Sequence, residues 1–129
     1  VTGGTNGIGA KLPNIFSKEF ILETVFKTEN KSSKYIQRWS NNMENVDEPK
    51  ISSTKEKPYT KITFLPDYFE SFGYKISLKE IYDSLINVFR MRVYLAAAYV
   101  KYYTNKKFKV YFNDILVPIE NMNSIANLL

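Results

Sequence analysis

The chain has 129 residues, 44% hydrophobic and 16% aromatic, with a formal net charge of +5 and a pI near 9.3; this can fill the core of one domain or part of one. It contains no Cys and no His, which excludes disulfides, thiolate metal sites, zinc chemistry and Ser-His triads. No apolar run is long enough to cross a bilayer, and a start at Val1, with neither an initiator Met nor a leader pattern, predicts a piece of a longer protein.

The first element is a glycine-rich turn running into a helix, Val1-Thr2-Gly3-Gly4-Thr5-Asn6-Gly7-Ile8-Gly9-Ala10-Lys11. Glycines let the backbone approach an anion and adopt positive φ. The free N–H groups and positive dipole end of the helix that follows supply donors and charge. A phosphate-binding turn is therefore predicted. The helix runs through Leu12, Ile15 and Phe16 at helical spacing, with Pro13 expected in its first turn, where a missing N–H loses no bond.

Glu19 to Phe26 and Tyr35 to Trp39 read as two strands of a hairpin, rich in aromatic and β-branched residues and joined by the polar stretch from Thr28 to Ser33. Asn41 to Glu56 is polar, carries Pro49 and reads as loop, with a short edge strand around Ile51. Tyr59 to Phe64 alternates as a strand that Pro66-Asp67 ends. A capping box, Ser77-Leu78-Lys79-Glu80, starts a long helix to about Val100, with Leu78, Ile81, Leu85, Phe89, Val93, Ala96 and Val100 as its core stripe. Lys107 to Phe112, a turn at Asn113-Asp114 and Ile115 to Ile119 form a second hairpin. The order is α+β with antiparallel pairing. The cluster Lys101, Lys106, Lys107 and Lys109 reads first as a solvated edge and second as a DNA contact.

Three readings of the glycine turn are open. As T-G-x-x-x-G-x-G, Thr2 to Gly9 resembles the cofactor loop of short-chain dehydrogenases, an NAD(P)-binding family; as G-x-x-G-x-G, Gly4 to Gly9 resembles the phosphate-lid box of the GHKL ATPases. The third reading is an ordinary Gly/Asn turn. A dehydrogenase needs a full crossover helix to a parallel strand, whereas here a proline-shortened helix feeds an antiparallel hairpin. Tyr103 and Lys107 have the dehydrogenase Tyr-x-x-x-Lys spacing, but in a turn rather than on a helix face.

The segment from Val1 to Ser17 resembles the phosphate-binding segment of the ATPase domain of eukaryotic-type (type IIA) DNA topoisomerase II. The likeness continues through Glu19-Phe20-Ile21-Leu22-Glu23-Thr24, Lys34-Tyr35-Ile36-Gln37-Arg38-Trp39 with Asn41-Asn42-Met43, Tyr59 to Asp67, and Val110-Tyr111-Phe112-Asn113, covering the chain in order. The resemblance implies the C-terminal half of a GHKL (Bergerat) domain, an incomplete two-layer α+β sandwich with a mostly antiparallel or mixed sheet and helices on one face. It implies nucleotide-binding roles for Gly4, Thr5, Asn6, Gly7, Ile8, Gly9, Ala10 and Lys11 around the triphosphate, and for Thr60 beside the adenine.

On the same resemblance, the catalytic glutamate, the magnesium-holding asparagine and the adenine-binding aspartate lie upstream of Val1. The transducer lysine and the DNA-cleaving tyrosine lie downstream of Leu129. This stretch itself then contributes no catalytic residue and no metal ligand to an ATP- and Mg2+-dependent type II topoisomerase. Its implied partners are double-stranded DNA and a second copy, with no membrane, and its implied location is intracellular: nuclear in a eukaryote, a host-cell compartment or virion for a virus. The alternative function is a catalytically silent GHKL-like interaction module. Two positions depart from the family pattern: Thr5 stands where Arg is common and Ile8 where Tyr is common, which removes a guanidinium able to grip phosphate and a hydroxyl.

Overall fold

The structure is a computed structural model, and it describes residues 8–29, 31–68, 73, 77–104 and 108–118. Two compact units divide the chain, Val1–Lys75 and Ile76–Leu129. Each is built by its own secondary structure.

Unit 1 begins with the helix α1 (Ile8–Ile15), which passes into the strand β1 (Ser17–Lys27) through Phe16 alone. Pro13 is inside α1, in its second turn rather than the first turn that the sequence reading assigned. Its missing N–H removes the bond to the Gly9 carbonyl and its ring crowds that carbonyl, so the helix stops two residues later. β1 pairs antiparallel with β2 (Ser32–Ser40) from Glu19↔Ser40 to Lys27↔Ser32. On its other side it pairs antiparallel with β5 (Tyr59–Pro66), with a bulge between Ser17 and Glu19.

The free edge of β2 is covered by β3 (Asn45–Val46) and β4 (Lys50–Ser53). These are two pieces of one edge strand. The register moves by one residue between Trp39↔Val46 and Ile36↔Lys50, across a break that contains Pro49, whose lack of a donor suits an interrupted edge. The sequence reading anticipated the piece around Ile51 and missed β3.

Opposed residues of an antiparallel pair share a face, and the sheet of unit 1 sorts cleanly. Phe20, Leu22 and Thr24 of β1 lie with Trp39, Gln37 and Tyr35 of β2 and with Phe64, Ile62 and Thr60 of β5. Phe20 is buried there, its ring edge-on to Trp39 at 5.8 Å and stacked near Phe64 at 6.4 Å. The opposite face carries Glu23 and Val25 with Lys34, Ile36, Tyr59 and Lys61.

Unit 2 holds the helix α2 (Leu78–Thr104) and the short hairpin β6 (Tyr111–Phe112) and β7 (Ile115–Leu116). The start of α2 is the expected capping box: Glu80 N–H donates to Ser77 Oγ at 3.2 Å, while Ser77 N–H and Oγ donate to Glu80 Oε2 at 2.8 and 2.7 Å. Its buried face is Ala97 and Ala98, packed with Val93 and Tyr94 against Val110, Phe112 and Val117. Ala96 and Phe89, both assigned to the core stripe from the sequence, are exposed. Repeated steps of four residues overshoot a 3.6-residue turn by about 40° each, so the stripe drawn through Ile81, Leu85 and Phe89 drifts off the packed face. The hairpin is shorter than 107–119; Asn113 and Asp114, with φ of 49° and 63°, make the two-residue turn with both φ positive that suits a twisted hairpin.

Candidate functional site

α1 presents its first turn to solvent. Ile8, Gly9 and Lys11 are exposed, and the first turn contains no acidic side chain. The N–H groups at a helix start have no intrahelical acceptors and carry the positive end of the helix dipole, the kind of place where an anion can be accommodated. Gly9 is helical, and a Cβ built on it meets nothing within 4 Å. Packing among the described residues does not require a glycine here. Lys11 makes no ion pair among the described residues, in contrast to Lys18, Lys34, Arg38 and Lys79. Ala10 is in the same turn. Gly4, Thr5, Asn6 and Gly7 lie outside the described residues.

Thr60 is elsewhere. It lies on β5 opposite Thr24, its hydroxyl 3.1 Å from the Thr24 hydroxyl, which in turn donates to the Tyr59 carbonyl at 3.0 Å. The rung Thr24↔Thr60 is separated from the α1 end of β1 by the span Ser17 to Thr24, roughly 23 Å at strand rise. Thr60 therefore belongs to the sheet, and its hydroxyl is partly used in a cross-strand contact.

Where α1 meets the sheet, a cleft of about 780 Å³ is lined by Ile15, Phe16, Lys18, Asn41, Asn42 and Asp67, among others. Its floor is a web of backbone bonds. Asn41 N–H and Asn42 N–H donate to the carbonyls of Lys18 and Ser17 at 2.9 and 3.0 Å, and Asp67 N–H donates to Phe16 at 2.9 Å. Asn42 Nδ2 reaches the Ile15 carbonyl at 3.0 Å, and the Ser17 hydroxyl donates to the Pro13 carbonyl. Asp67 and Ser17 are fully buried. In the sequence Asn41, Asn42 and Asp67 fall inside longer stretches similar to the family; the local signal for this turn is an Asn-Asn pair just after a strand, since Asn tolerates left-handed backbone.

The face opposite Phe20 carries a charged network. Lys34 Nζ lies 3.2 Å from both Glu23 Oε1 and Glu56 Oε2 and 5.8 Å from the centre of the Tyr59 ring, while the Tyr59 hydroxyl donates to Glu23. That bond, with Lys34 beside it, holds the Glu23 carboxyl below the usual carboxylate range. The same bond raises Tyr59, and the Tyr59 hydroxyl with the two carboxylates holds Lys34 above the ordinary lysine range. These groups cross-link three strands and cover Val25, which is 2% exposed.

Among the described residues no three Asp or Glu side chains converge on a point that could hold a metal ion, so those residues do not by themselves fit Mg2+. No described helix is long and apolar enough to cross a membrane.

No family model matches the chain. Individual proteins do. DNA topoisomerase 2 of Acanthamoeba polyphaga mimivirus is 47% identical over 126 residues, 98% of this chain and 9% of that protein. DNA topoisomerase 2 of Saccharomyces cerevisiae is 44% identical over 129 residues, 99% of this chain and 8% of that protein. The crystal structure of the ATPase region of Saccharomyces cerevisiae topoisomerase II superimposes with a TM-score of 0.79 at 42% identity, covering 98% of this chain and 31% of that one. By sequence and by fold the chain belongs with the ATPase region of the DNA topoisomerase 2 family. It spans less than a tenth of the length of the curated relatives it matches.

The chain has the mixed α/β architecture with an antiparallel sheet that the resemblance implied. The dehydrogenase reading fails on topology. α1 leads into a strand whose described partners, β2 and β5, are both antiparallel. Tyr103, expected in a turn, instead lies on α2, which runs on to Thr104, and its ring is 4.3 Å from Tyr99, so it is the topology and not the place of Tyr103 that decides. The Lys107 half of that pair lies outside the described residues.

Proposed function

We propose that this topoisomerase 2 segment forms the phosphate-lid helix and part of the sheet of an ATP-operated gate. The parent is a type II topoisomerase that hydrolyses ATP to pass one DNA duplex through another, acting as a homodimer inside the cell: nuclear in a eukaryote, in a host-cell compartment or virion for a virus. The observation that carries this reading is the first turn of α1, where exposed Gly9, the last glycine of the box, is followed closely by exposed Lys11 and no acidic side chain opposes an anion.

On this reading the turn from Gly4 to Lys11 lies over the triphosphate. Backbone N–H groups at the start of α1 bind phosphate oxygens, the missing Cβ of Gly9 allows close approach, and Lys11 supplies a compact cation. Thr60 contributes to the adenine end through the sheet. Mg2+ would neutralise phosphate charge when bound, held by residues outside this segment. Phosphoryl transfer of this kind is mainly positioning and charge stabilisation.

The test uses the full-length protein. ATP-dependent relaxation of supercoiled DNA is expected, and Lys11→Ala should weaken ATP binding by about 1.5–3 kcal/mol, the range for a hydrogen bond to a charged group. Calorimetry showing no ATP binding by the unmutated protein would favour the silent-module reading instead, for which Thr5 and Ile8, the two departures from the family pattern, are the supporting observation.

A further inference from the structure

The C-terminal end of α1 is held by residues distant in sequence. A helix normally leaves its last carbonyls to water or to a local cap such as a left-handed glycine; here Asn42 Nδ2 takes the Ile15 carbonyl, the last of α1, while the carbonyls of Phe16, Ser17 and Lys18, in the junction and the start of β1, are taken by Asp67 N–H, Asn42 N–H and Asn41 N–H. The turn that supplies three of these four donors is costly to form. Asn41, Asn42 and Met43 have φ of 53°, 56° and 71°, three consecutive L residues in left-handed backbone, which persists only where the surroundings enforce it and which clusters where geometry serves function. Asn42 is the one residue of the turn whose side chain and backbone both bond the α1–β1 junction.

We infer that Asn42 is a positioning residue for nucleotide: it fixes the direction of α1 and so the aim of the N–H groups and Lys11 at its start. This rests on the reading of α1 as the phosphate lid. Eight residues make a helix about 12 Å long, so a tilt of about 5° at the Asn42 end displaces the other end by roughly 1 Å. A displacement of that size at a site that works by orientation can cost up to about 100-fold. Asn42 touches no nucleotide in this account and acts through α1 alone.

Two substitutions in the full-length protein separate the contributions. Asn42→Asp keeps the size and left-handed tolerance of Asn but cannot donate to the Ile15 carbonyl, while Asn42→Gly keeps the turn without strain and removes the side chain. Binding of a non-hydrolysable ATP analogue and of ADP is measured by calorimetry, with the thermal unfolding midpoint recorded for each protein. Both variants should lose affinity for the ATP analogue by about fivefold or more and for ADP by less than half that factor, because the lid contributes most at the terminal phosphate. Equal losses for the two nucleotides that follow the drop in unfolding midpoint would mean Asn42 serves stability only. Unchanged affinities in Asn42→Gly would likewise overturn the inference. Failure of the unmutated protein to bind the ATP analogue would sink the lid reading itself, a result distinguishable from either.

Discussion

Packing among the described residues does not explain a glycine at position 9. A glycine inside a helix is less stable than alanine by roughly 0.5–1 kcal/mol, and a Cβ at Gly9 would enter open space, so Gly9→Ala should raise stability by about that amount. If a phosphate lies against that turn, the same methyl group should obstruct it. The expected result is a higher unfolding midpoint with a weaker ATP affinity in the full-length protein, by thermal denaturation and calorimetry. A higher midpoint with unchanged affinity would place the nucleotide elsewhere. Thr5→Arg makes the complementary change, restoring a guanidinium where phosphate charge is expected, and should tighten ATP binding by an amount that shrinks as salt rises.

Secondary-structure elements were legible in proportion to how local their causes are. The start of α2 was readable because Ser77 and Glu80 satisfy each other's backbone within one turn, and β1, β2 and β5 were readable from their aromatic and β-branched alternation. The buried face of α2 was not, since it is set by Val110, Phe112 and Val117, which no helical period encodes. β3 was missed because two exposed residues, Asn45 and Val46, carry no pattern, and the cleft at Asn42 because its bonds join three segments far apart in sequence. In the site, the chemistry of the α1 turn was visible in Gly9 and Lys11, while the anchoring behind it was not. The capping box also has a pH signature. The bonds from Ser77 hold the Glu80 carboxyl below its ordinary value, so its contribution is present above the unfolded carboxylate range and is lost as pH falls through the lowered folded value. The protection factor for amide exchange at the first turn of α2, taken against the intrinsic rate at each pH, should therefore fall as pH drops through that value, and Ser77→Ala, costing about 0.5–2 kcal/mol as a lost N-cap, should reduce that pH dependence to the part that the backbone N–H of residue 77 supplies. On the sheet the sign reverses at the other end of the scale: Lys34 and Tyr59 are both raised, so what they contribute is present in neutral solution and lost as pH rises through their folded values.

At the scale of the whole chain, the carboxylates of the sheet are committed to structure. Glu19 pairs with Arg38, Glu23 with Lys34 and Tyr59, and Glu56 with Lys34, each bridging neighbouring segments. Each of these carboxylates therefore already has a partner within the sheet or beside it. Hydrolysis of ATP needs a nucleophile-positioning group in line with the terminal phosphate together with charge neutralisation on the opposite side, and on the proposed reading this segment supplies only the second, through Lys11 and the start of α1. The 129-residue chain by itself is therefore expected to show no ATP turnover above the buffer rate, whereas the full-length protein turns ATP over and loses activity on Lys11→Ala. A steady-state phosphate-release assay on both checks this. Turnover by the isolated chain, at a rate that also falls on Lys11→Ala so that contamination is excluded, would show that a complete hydrolytic site resides within these residues and would overturn the assignment of the segment as one part of a larger gate.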